Sequence, residues 1–279
     1  MNKFGLSKAQ VFLAPGNHDV NRSPSKDREA AIQDITSKMA GNKRHYSAYS
    51  EHMECLLNNF SDFDIFVKDF YRDSGIKTDD ERVTRPSGVY HVLWNDKLHI
   101  FCMNTALISD GARTHKEIVD INALTERVQE IKKNNMKDNR PIILIGHHGL
   151  DDLYPEHEKR IRGIIERYQI SAYLHGDIHQ YATDPILPLH LSSRVIPSIA
   201  CGKSAPESGD SESDIGAVYY EWHVQKNISL PSGQVQGLPR SFVTVKAFRW
   251  DITGFHLDTR YMHDIIKDYT FDMLGGIPV

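Results

Sequence analysis

Residues 11–19 read VFLAPGNHD, a short apolar run that ends at a Pro-Gly pair and continues directly into polar side chains. Two later stretches follow the same plan, IILIGHHG at residues 142–149 and AYLHGDIH at residues 172–179. In each of them a predicted strand stops, a glycine permits a sharp turn, and Asn, His or Asp comes next. The three stretches therefore predict three strands that carry polar groups at their carboxyl ends.

If the three strands are parallel neighbours, the polar groups at their ends lie close together. The carboxyl ends of such strands share one edge of the sheet, where ligands of α/β proteins collect. A lone histidine at a strand end is more often a surface or core residue, so the prediction depends on all three stretches together. Imidazole, carboxylate and amide oxygen suit Mn, Fe or Zn, and the absence of thiolates disfavours a structural zinc site. The side chains expected at this edge are Asn17, His18, His147, His148, Asp177 and His179.

The remaining pattern predicts an α/β protein, because strands and helices alternate up to about residue 183. Beyond that point the alternation is typical of antiparallel strands. An aromatic stripe within residues 46–72 indicates one or two helices that pack into a core or cap a cleft, and residues 73–88 are predicted as a surface loop. The predicted helices cover residues 24–40, 46–72, 116–135 and 155–169, and the further predicted strands cover residues 89–93, 98–103, 194–200, 217–225, 241–250 and 254–259. Asn95-Asp96, between the first two of these strands, predicts a hairpin turn.

Composition excludes several classes of protein. The 279 residues carry a formal net charge of -4, so a broadly basic surface for nucleic acid has no support. No apolar run reaches the roughly 18 residues that a membrane span needs, and the first ten residues contain no apolar stretch of a secretory signal. Three widely spaced cysteines do not predict a disulfide scaffold. We therefore expect no membrane association and a cytoplasmic location; protein partners are not indicated.

The three stretches resemble the last three motifs of the calcineurin-like metallophosphoesterases. That family carries, in order, Asp-x-His, Gly-Asp-x-x-Asp, Gly-Asn-His-(Asp/Glu), a strand-end His and Gly-His-x-His. Residues 16–19, 146–149 and 176–179 match the last three. The resemblance implies a layered α/β/β/α sandwich, in one domain of residues 1–279 with a helical cap insertion at about 24–88. Only fifteen residues precede Gly16, so the first two motifs and their N-terminal strands are expected to be missing.

The resemblance also implies a pair of divalent metal ions, with Mn, Fe or Zn as the expected metals. Asn17, His147 and Asp177 would bind the second metal, and His179 would bind the first. Asp177 departs from the family, which usually has histidine there, and a carboxylate shifts the preference towards Mn or Mg. In the family, a hydroxide that bridges the two ions attacks the phosphorus of a phosphomonoester or phosphodiester.

Three further residues receive catalytic or substrate-binding roles from the same resemblance. His18 would sit beside the leaving-group oxygen as a proton donor or charge stabiliser. Asp19 would orient His18 or the turn, and His148 would contact the substrate. The resemblance therefore predicts a hydrolase that acts on phosphate ester bonds.

The two missing motifs leave several explanations open. The chain is a fragment, is completed by another polypeptide, or is a degenerate member, and we favour the fragment. Without those motifs the first metal keeps only His179, so the isolated chain is expected to be inactive. The alternative to an enzyme is a non-catalytic remnant or binding module that keeps the fold. Among enzymes, a nuclease for DNA ends is the second possibility, with nucleic acid bound only as substrate.

Overall fold

The structure of the protein is a computed structural model. It describes residues 7–21, 26–40, 47–110, 116–134 and 140–177, together with the backbone of six strands between residues 186 and 272. The chain divides into two compact units. The first unit is Met1–Asp138 with Leu144–Ile164, and the second is Asn139–Ile143 with Ile165–Val279. The single domain of residues 1–279, with a cap insertion at about 24–88, stays a prediction.

The chain from residue 26 to residue 167 contains the predicted helices, a short helix at residues 81–84 that was not predicted, a two-stranded hairpin and a third strand. Residues 139–143 and 165–167 within this stretch belong to the second unit. The aromatic segment forms two helices, and the helix predicted from residue 116 begins at Ile121. Its first turn is capped by Asp120, whose carboxylate accepts the N–H of Ala123 at 3.0 Å. The helices are α1 Lys26–Ala40, α2 Ser47–Asn58, α3 Ser61–Tyr71, α4 Glu81–Thr84, α5 Ile121–Asn134 and α6 Pro155–Arg167, and the strands are β1 Val89–Trp94, β2 Leu98–Met103 and β3 Ile142–Ile145.

The hairpin of β1 and β2 confirms the turn predicted from the sequence. The two strands pair antiparallel from Val89 opposite Met103 to Trp94 opposite Leu98. Asn95 and Asp96, which connect them, have φ angles of 50° and 55°. Two successive left-handed residues are typical of the tight turn that matches the twist of a hairpin.

The aromatic stripe of α2 and α3 packs into a hydrophobic core. Its members are buried against the segment that follows β2 and against Ile118. Phe66, by contrast, is exposed on the outer face of α3. The core explains the stripe as packing, and its role as a cap over a cleft stays a prediction. The buried residues of this core are Val20, Ala31, Ile35, Leu56, Phe60, Phe63, Val67, Tyr71, Ala106, Leu107, Ile108 and Ile118.

The apolar run at residues 11–14 forms no strand, so this prediction was wrong. Side chains replace the backbone ladder that a strand would require. The Tyr90 hydroxyl donates to the carbonyl oxygen of Leu13 at 2.8 Å and accepts its N–H at 3.0 Å. The Tyr71 hydroxyl donates to the carbonyl oxygen of Val11 at 2.7 Å. Phe12 packs edge-on against Trp94, with ring centroids 5.5 Å apart, so the run packs half-buried against the hairpin.

Residues 73–88 were predicted as a surface loop, but they contain α4 and a buried arginine. Asp80 caps α4 and binds the Arg82 guanidinium through both carboxylate oxygens, at 3.0 and 2.9 Å. Arg82 also donates to the carbonyl oxygen of Ala9 at 2.7 Å and lies over the Phe12 ring. A guanidinium with five donors satisfies several oxygens at once, which is why a charged residue is tolerated here.

The second unit is mainly antiparallel β-structure in its described part. β4 Ala172–His175 pairs parallel with β6 Val195–Ala200, and β5 Ile186–His190 pairs antiparallel with β6. A separate sheet has the order β10-β8-β7, with β9 paired to β8. The sequence did not predict β5 and β10. The strands of the separate sheet are β7 Gly216–Val224, β8 Ser241–Asp251, β9 Gly254–Leu257 and β10 Tyr269–Asp272.

The α/β class predicted from the sequence is confirmed by this combination of helices and mixed sheet. The absence of N-terminal strands stays a prediction. Among the residues that the structure describes, no helix combines the length and apolar character needed to cross a bilayer.

Glu117 is a buried carboxyl in the first unit. Its backbone bridges to Leu153, and its side chain accepts a hydrogen bond from the Ser109 hydroxyl. Burial raises the pKa of Glu117 to about 7, and the nearby charge of Asp110 also raises it, whereas Ser109, the backbone of Ile108 and Arg28 lower it. The native state therefore prefers the protonated carboxyl.

The first prediction concerns Tyr90→Phe, which removes both hydrogen bonds to the backbone of Leu13. The half-buried donor and acceptor of Leu13 then lose that partner, and we expect a loss of about 1 kcal/mol in the free energy of unfolding. Urea denaturation of the purified chain measures this loss. Tyr168→Phe, on a half-buried tyrosine that follows α6, is the control; equal stability of the Tyr90 variant and the wild type would contradict the assigned anchor.

The second prediction concerns Glu117→Gln, which keeps the shape of the side chain but does not titrate. Because the pKa of Glu117 is raised in the native state, its contribution to stability is present below about pH 4.5 and is lost as the pH rises through 7. Melting temperatures of the wild type and the variant should therefore diverge between pH 5 and 8, and the melting temperature of the variant should be the higher one at high pH. Glu126→Gln, on the exposed face of α5, should follow the wild type. Parallel curves for wild type and Glu117→Gln would refute this coupling.

Candidate metal centre

The Gly16-Asn17-His18-Asp19 segment forms a turn closed by its own first and last residues. The N–H of Asp19 donates to the carbonyl oxygen of Gly16 at 3.1 Å. In return, the carboxylate of Asp19 accepts the N–H of Gly16 at 2.8 Å. Asn17 is buried at 6 % exposure, whereas His18 and Asp19 are exposed. The turn thus holds one amide side chain inside and presents an imidazole to solvent.

The His147-His148 pair follows β3 at the predicted position. The strand ends at Ile145, and the chain then passes through Gly146 into the two histidines. The two rings meet edge to face, with centroids 4.7 Å apart. His148 is buried at 4 % exposure, and His147 is half-buried.

The turn and the histidine pair lie side by side in the first unit. A Cβ atom placed on Gly16 would come within 2.8 Å of Nδ1 and 2.9 Å of Cε1 of His147. Real Cβ atoms do not approach other atoms so closely, so only glycine permits this contact. The imidazole of His147 therefore lies directly on the backbone that leads into Asn17.

This geometry fits a divalent metal ion. Imidazole nitrogen and amide oxygen are ligands that Mn, Fe and Zn accept, and here His147 is packed against the glycine that precedes Asn17. Packing of this kind fixes the orientation of a ligand ring before the ion binds, which reduces the entropic cost of binding. The first unit thus supplies two of the four predicted metal ligands in adjacent positions.

The other two predicted ligands come later in the sequence. Asp177 belongs to the second unit, where it follows β4 with a φ angle of 61°. This left-handed conformation is one that Asp and Asn adopt more readily than other side chains. His179 lies outside the described residues. The roles assigned to Asp177 and His179 stay predictions.

The sequence did not single out Thr105 as a functional residue. Its hydroxyl oxygen accepts the backbone N–H of His147 at 3.0 Å and that of His148 at 2.9 Å. The available signal was a pair of small polar residues, Asn104-Thr105, directly after the apolar strand β2. Such pairs at strand ends are candidates for contacts to a neighbouring turn.

Comparisons with known proteins agree with this geometry. The family model described as calcineurin-like phosphoesterase matches residues 1–181. The metallophosphoesterase-like protein YydB of Bacillus subtilis (strain 168) is 27% identical over 183 residues. That alignment covers 64% of this chain and 35% of YydB, so the chain spans about a third of the length of this relative. Because the family model covers well over half of the residues, the chain belongs to the calcineurin-like phosphoesterase family.

Proposed function

We propose that this chain forms part of a metal-dependent phosphoesterase that hydrolyses a phosphomonoester or a phosphodiester. Membership of the family supports phosphoester hydrolysis in general. The observation that carries the proposal for this chain is the contact between the His147 ring and Gly16, next to the buried amide of Asn17. A hydrophobic core requires only apolar contacts, so core packing does not explain why an imidazole and an amide side chain lie together here.

In this proposal, two divalent ions are held by residues of the three motifs. Asn17, His147 and Asp177 bind one ion, and His179 contributes to the other. Such ions lower the pKa of a bound water and neutralise charge that develops on phosphate oxygens. The carboxylate of Asp177 favours Mn over softer metals, because hard cations prefer oxygen ligands.

His18 acts on the leaving group in the proposed reaction. It lies on the same turn as Asn17, and its exposure leaves the imidazole accessible to a substrate. An imidazole can donate a proton to the leaving oxygen as a general acid. Asp19 supports this role through its carboxylate, which holds the N–H of Gly16 and thereby the turn that carries His18.

For the first metal, this sequence supplies only part of the family's ligand pattern. The family pattern assigns an Asp and a His to the first metal in motifs that precede Gly16, and the fifteen residues there contain neither motif. Within this sequence, His179 alone matches that half of the pattern. We therefore expect the 279-residue chain to bind fewer than two Mn²⁺ ions and to hydrolyse esters weakly.

The third prediction tests the ligands. Asn17→Ala and His147→Ala should each lower the Mn²⁺ content of the purified chain, measured by elemental analysis after equilibrium dialysis, by removing one ligand. His52→Ala is the control, because His52 bonds to Asp34 between α2 and α1. Unchanged Mn²⁺ content in both ligand variants would remove these two residues from the site.

The same preparations test the activity. We expect any hydrolysis of p-nitrophenyl phosphate or bis-p-nitrophenyl phosphate by the wild type to increase with Mn²⁺ and to decrease in His18→Ala. A wild-type chain that neither binds Mn²⁺ nor hydrolyses either ester would favour the alternative, a binding module that keeps the fold.

The fourth prediction compares two glycines: a Cβ atom added at Gly16 would collide with the His147 ring, whereas one added at Gly163 would lie in open space. Gly16→Ala forces the His147 ring to move, and we expect an affinity for Mn²⁺ about 10- to 100-fold weaker, the range seen when a supporting contact of a ligand is lost. Gly163→Ala, on the exposed face of α6, meets nothing within 4 Å and should leave the affinity unchanged while stabilising the helix by up to about 1 kcal/mol. Isothermal titration with Mn²⁺ compares the two variants; equal affinities would mean that the Gly16 contact does not position His147.

A further inference from the structure

Thr105 connects the end of β2 to the histidine pair. Its side chain is fully buried. The hydroxyl oxygen accepts two backbone N–H groups, from His147 at 3.0 Å and from His148 at 2.9 Å. A turn whose first two N–H groups share one acceptor cannot shift without leaving the half-buried donor of His147 and the buried donor of His148 unsatisfied, which opposes any movement of the turn.

Thr105 also determines which nitrogen of His148 carries the proton. Nδ1 of His148 lies 2.8 Å from the carbonyl oxygen of Thr105 and 3.1 Å from its hydroxyl oxygen. A carbonyl oxygen can only accept, so the shorter contact is a hydrogen bond only if Nδ1 is protonated. In a neutral ring the lone pair is then on Nε2, and this nitrogen accepts rather than donates.

The segment that carries Thr105 is itself fixed by its neighbours. The side-chain oxygen of Asn104 accepts the N–H of Ala106 at 2.8 Å, and its amide nitrogen donates to the carbonyl oxygen of Ser87 at 3.0 Å. The Ser87 hydroxyl contacts Asp64 of α3 at 3.2 Å, and burial raises the pKa of Asp64 above its ordinary value. Thr105 therefore meets the histidines from a rigid position.

We propose that Thr105 is a positioning residue of the metal centre, which anchors the backbone of His147 and His148 and holds His148 in the tautomer with its proton on Nδ1. This inference rests on the proposed function and deepens it. It assigns His148 the role of an electron-pair donor through Nε2, towards a divalent cation. A neutral imidazole in this tautomer does not donate from Nε2 to a phosphate oxygen, so the direct substrate contact expected from the sequence is replaced by a contact to the cation.

The fifth prediction begins with the tautomer, which does not depend on metal or activity. Long-range ¹H–¹⁵N correlation spectra of the metal-free chain should show His148 with a protonated Nδ1 and an unprotonated Nε2. The resonances are assigned by their disappearance in His148→Gln. A His148 ring protonated on Nε2 would overturn the assignment.

Three threonine variants test the anchor. Thr105→Val keeps the shape of the side chain but removes the acceptor. The amide protons of His147 and His148 should therefore exchange faster than in the wild type, with the amides of β2 as an internal reference. The affinity for Mn²⁺ should fall about 10- to 100-fold. Thr105→Ser keeps the acceptor and should restore both properties. Thr125→Val, which removes a hydroxyl bond to Ile121 within α5, should change neither.

The outcomes separate this inference from the proposed function. Equal exchange and equal affinity in Thr105→Val and wild type would overturn the positioning role. If the wild type binds no Mn²⁺, the proposed function fails, and so does the role of Thr105 at a metal centre, whereas slow amide exchange and the Nδ1 tautomer would still establish the anchor. If Thr105→Val does not fold, Thr105→Ser decides: a loss of affinity in the serine variant, which retains the hydroxyl, contradicts the proposal.

Discussion

The contact between the His147 ring and the backbone of Gly16 is the constraint on which the candidate site depends. Any side chain at residue 16 would occupy the space of the imidazole. The contact therefore determines where β3 ends relative to the turn that presents Asn17 and His18. The closure of that turn by Asp19 and the anchoring of His147 by Thr105 both keep this approach in place.

Polar side chains, rather than a backbone ladder, secure the segment that leads into the turn. Tyr90, Tyr71 and Arg82 each bond to a backbone group of residues 9–13, and all three come from the helical region or the hairpin. The carbonyl oxygens of Ala9, Val11 and Leu13 and the N–H of Leu13 obtain partners in this way, so the energetic cost of leaving them unpaired is avoided. A segment bonded by side chains can deviate from the regular spacing of a sheet, which lets Gly16 approach His147.

The motifs of the site were readable from the sequence because each combines a local apolar run with a glycine and specific polar residues. The hairpin turn at Asn95-Asp96 followed from local rules in the same way, and so did the helices α1, α2, α3, α5 and α6. The strand expected at residues 11–14 failed because its hydrogen bonds come from residues distant in sequence. Within residues 73–88, α4 forms through local hydrogen bonds and the Asp80 cap, whereas the burial of Arg82 depends on the distant residues Ala9 and Phe12. No local pattern shows that Tyr90 bonds to Leu13, or that the buried Arg82 lies over the Phe12 ring.

The separation of Gly16 and His147 along the chain has a consequence for folding. Chain closure over such a distance is entropically costly and is achieved only together with the packing of the helices and hairpin between them. A cation bound by groups from both ends would thus recognise the native state and not the unfolded one. Under the mass-action relation between binding and unfolding, such an ion would stabilise the whole first unit, so the degree of loading would report how much of the chain is native.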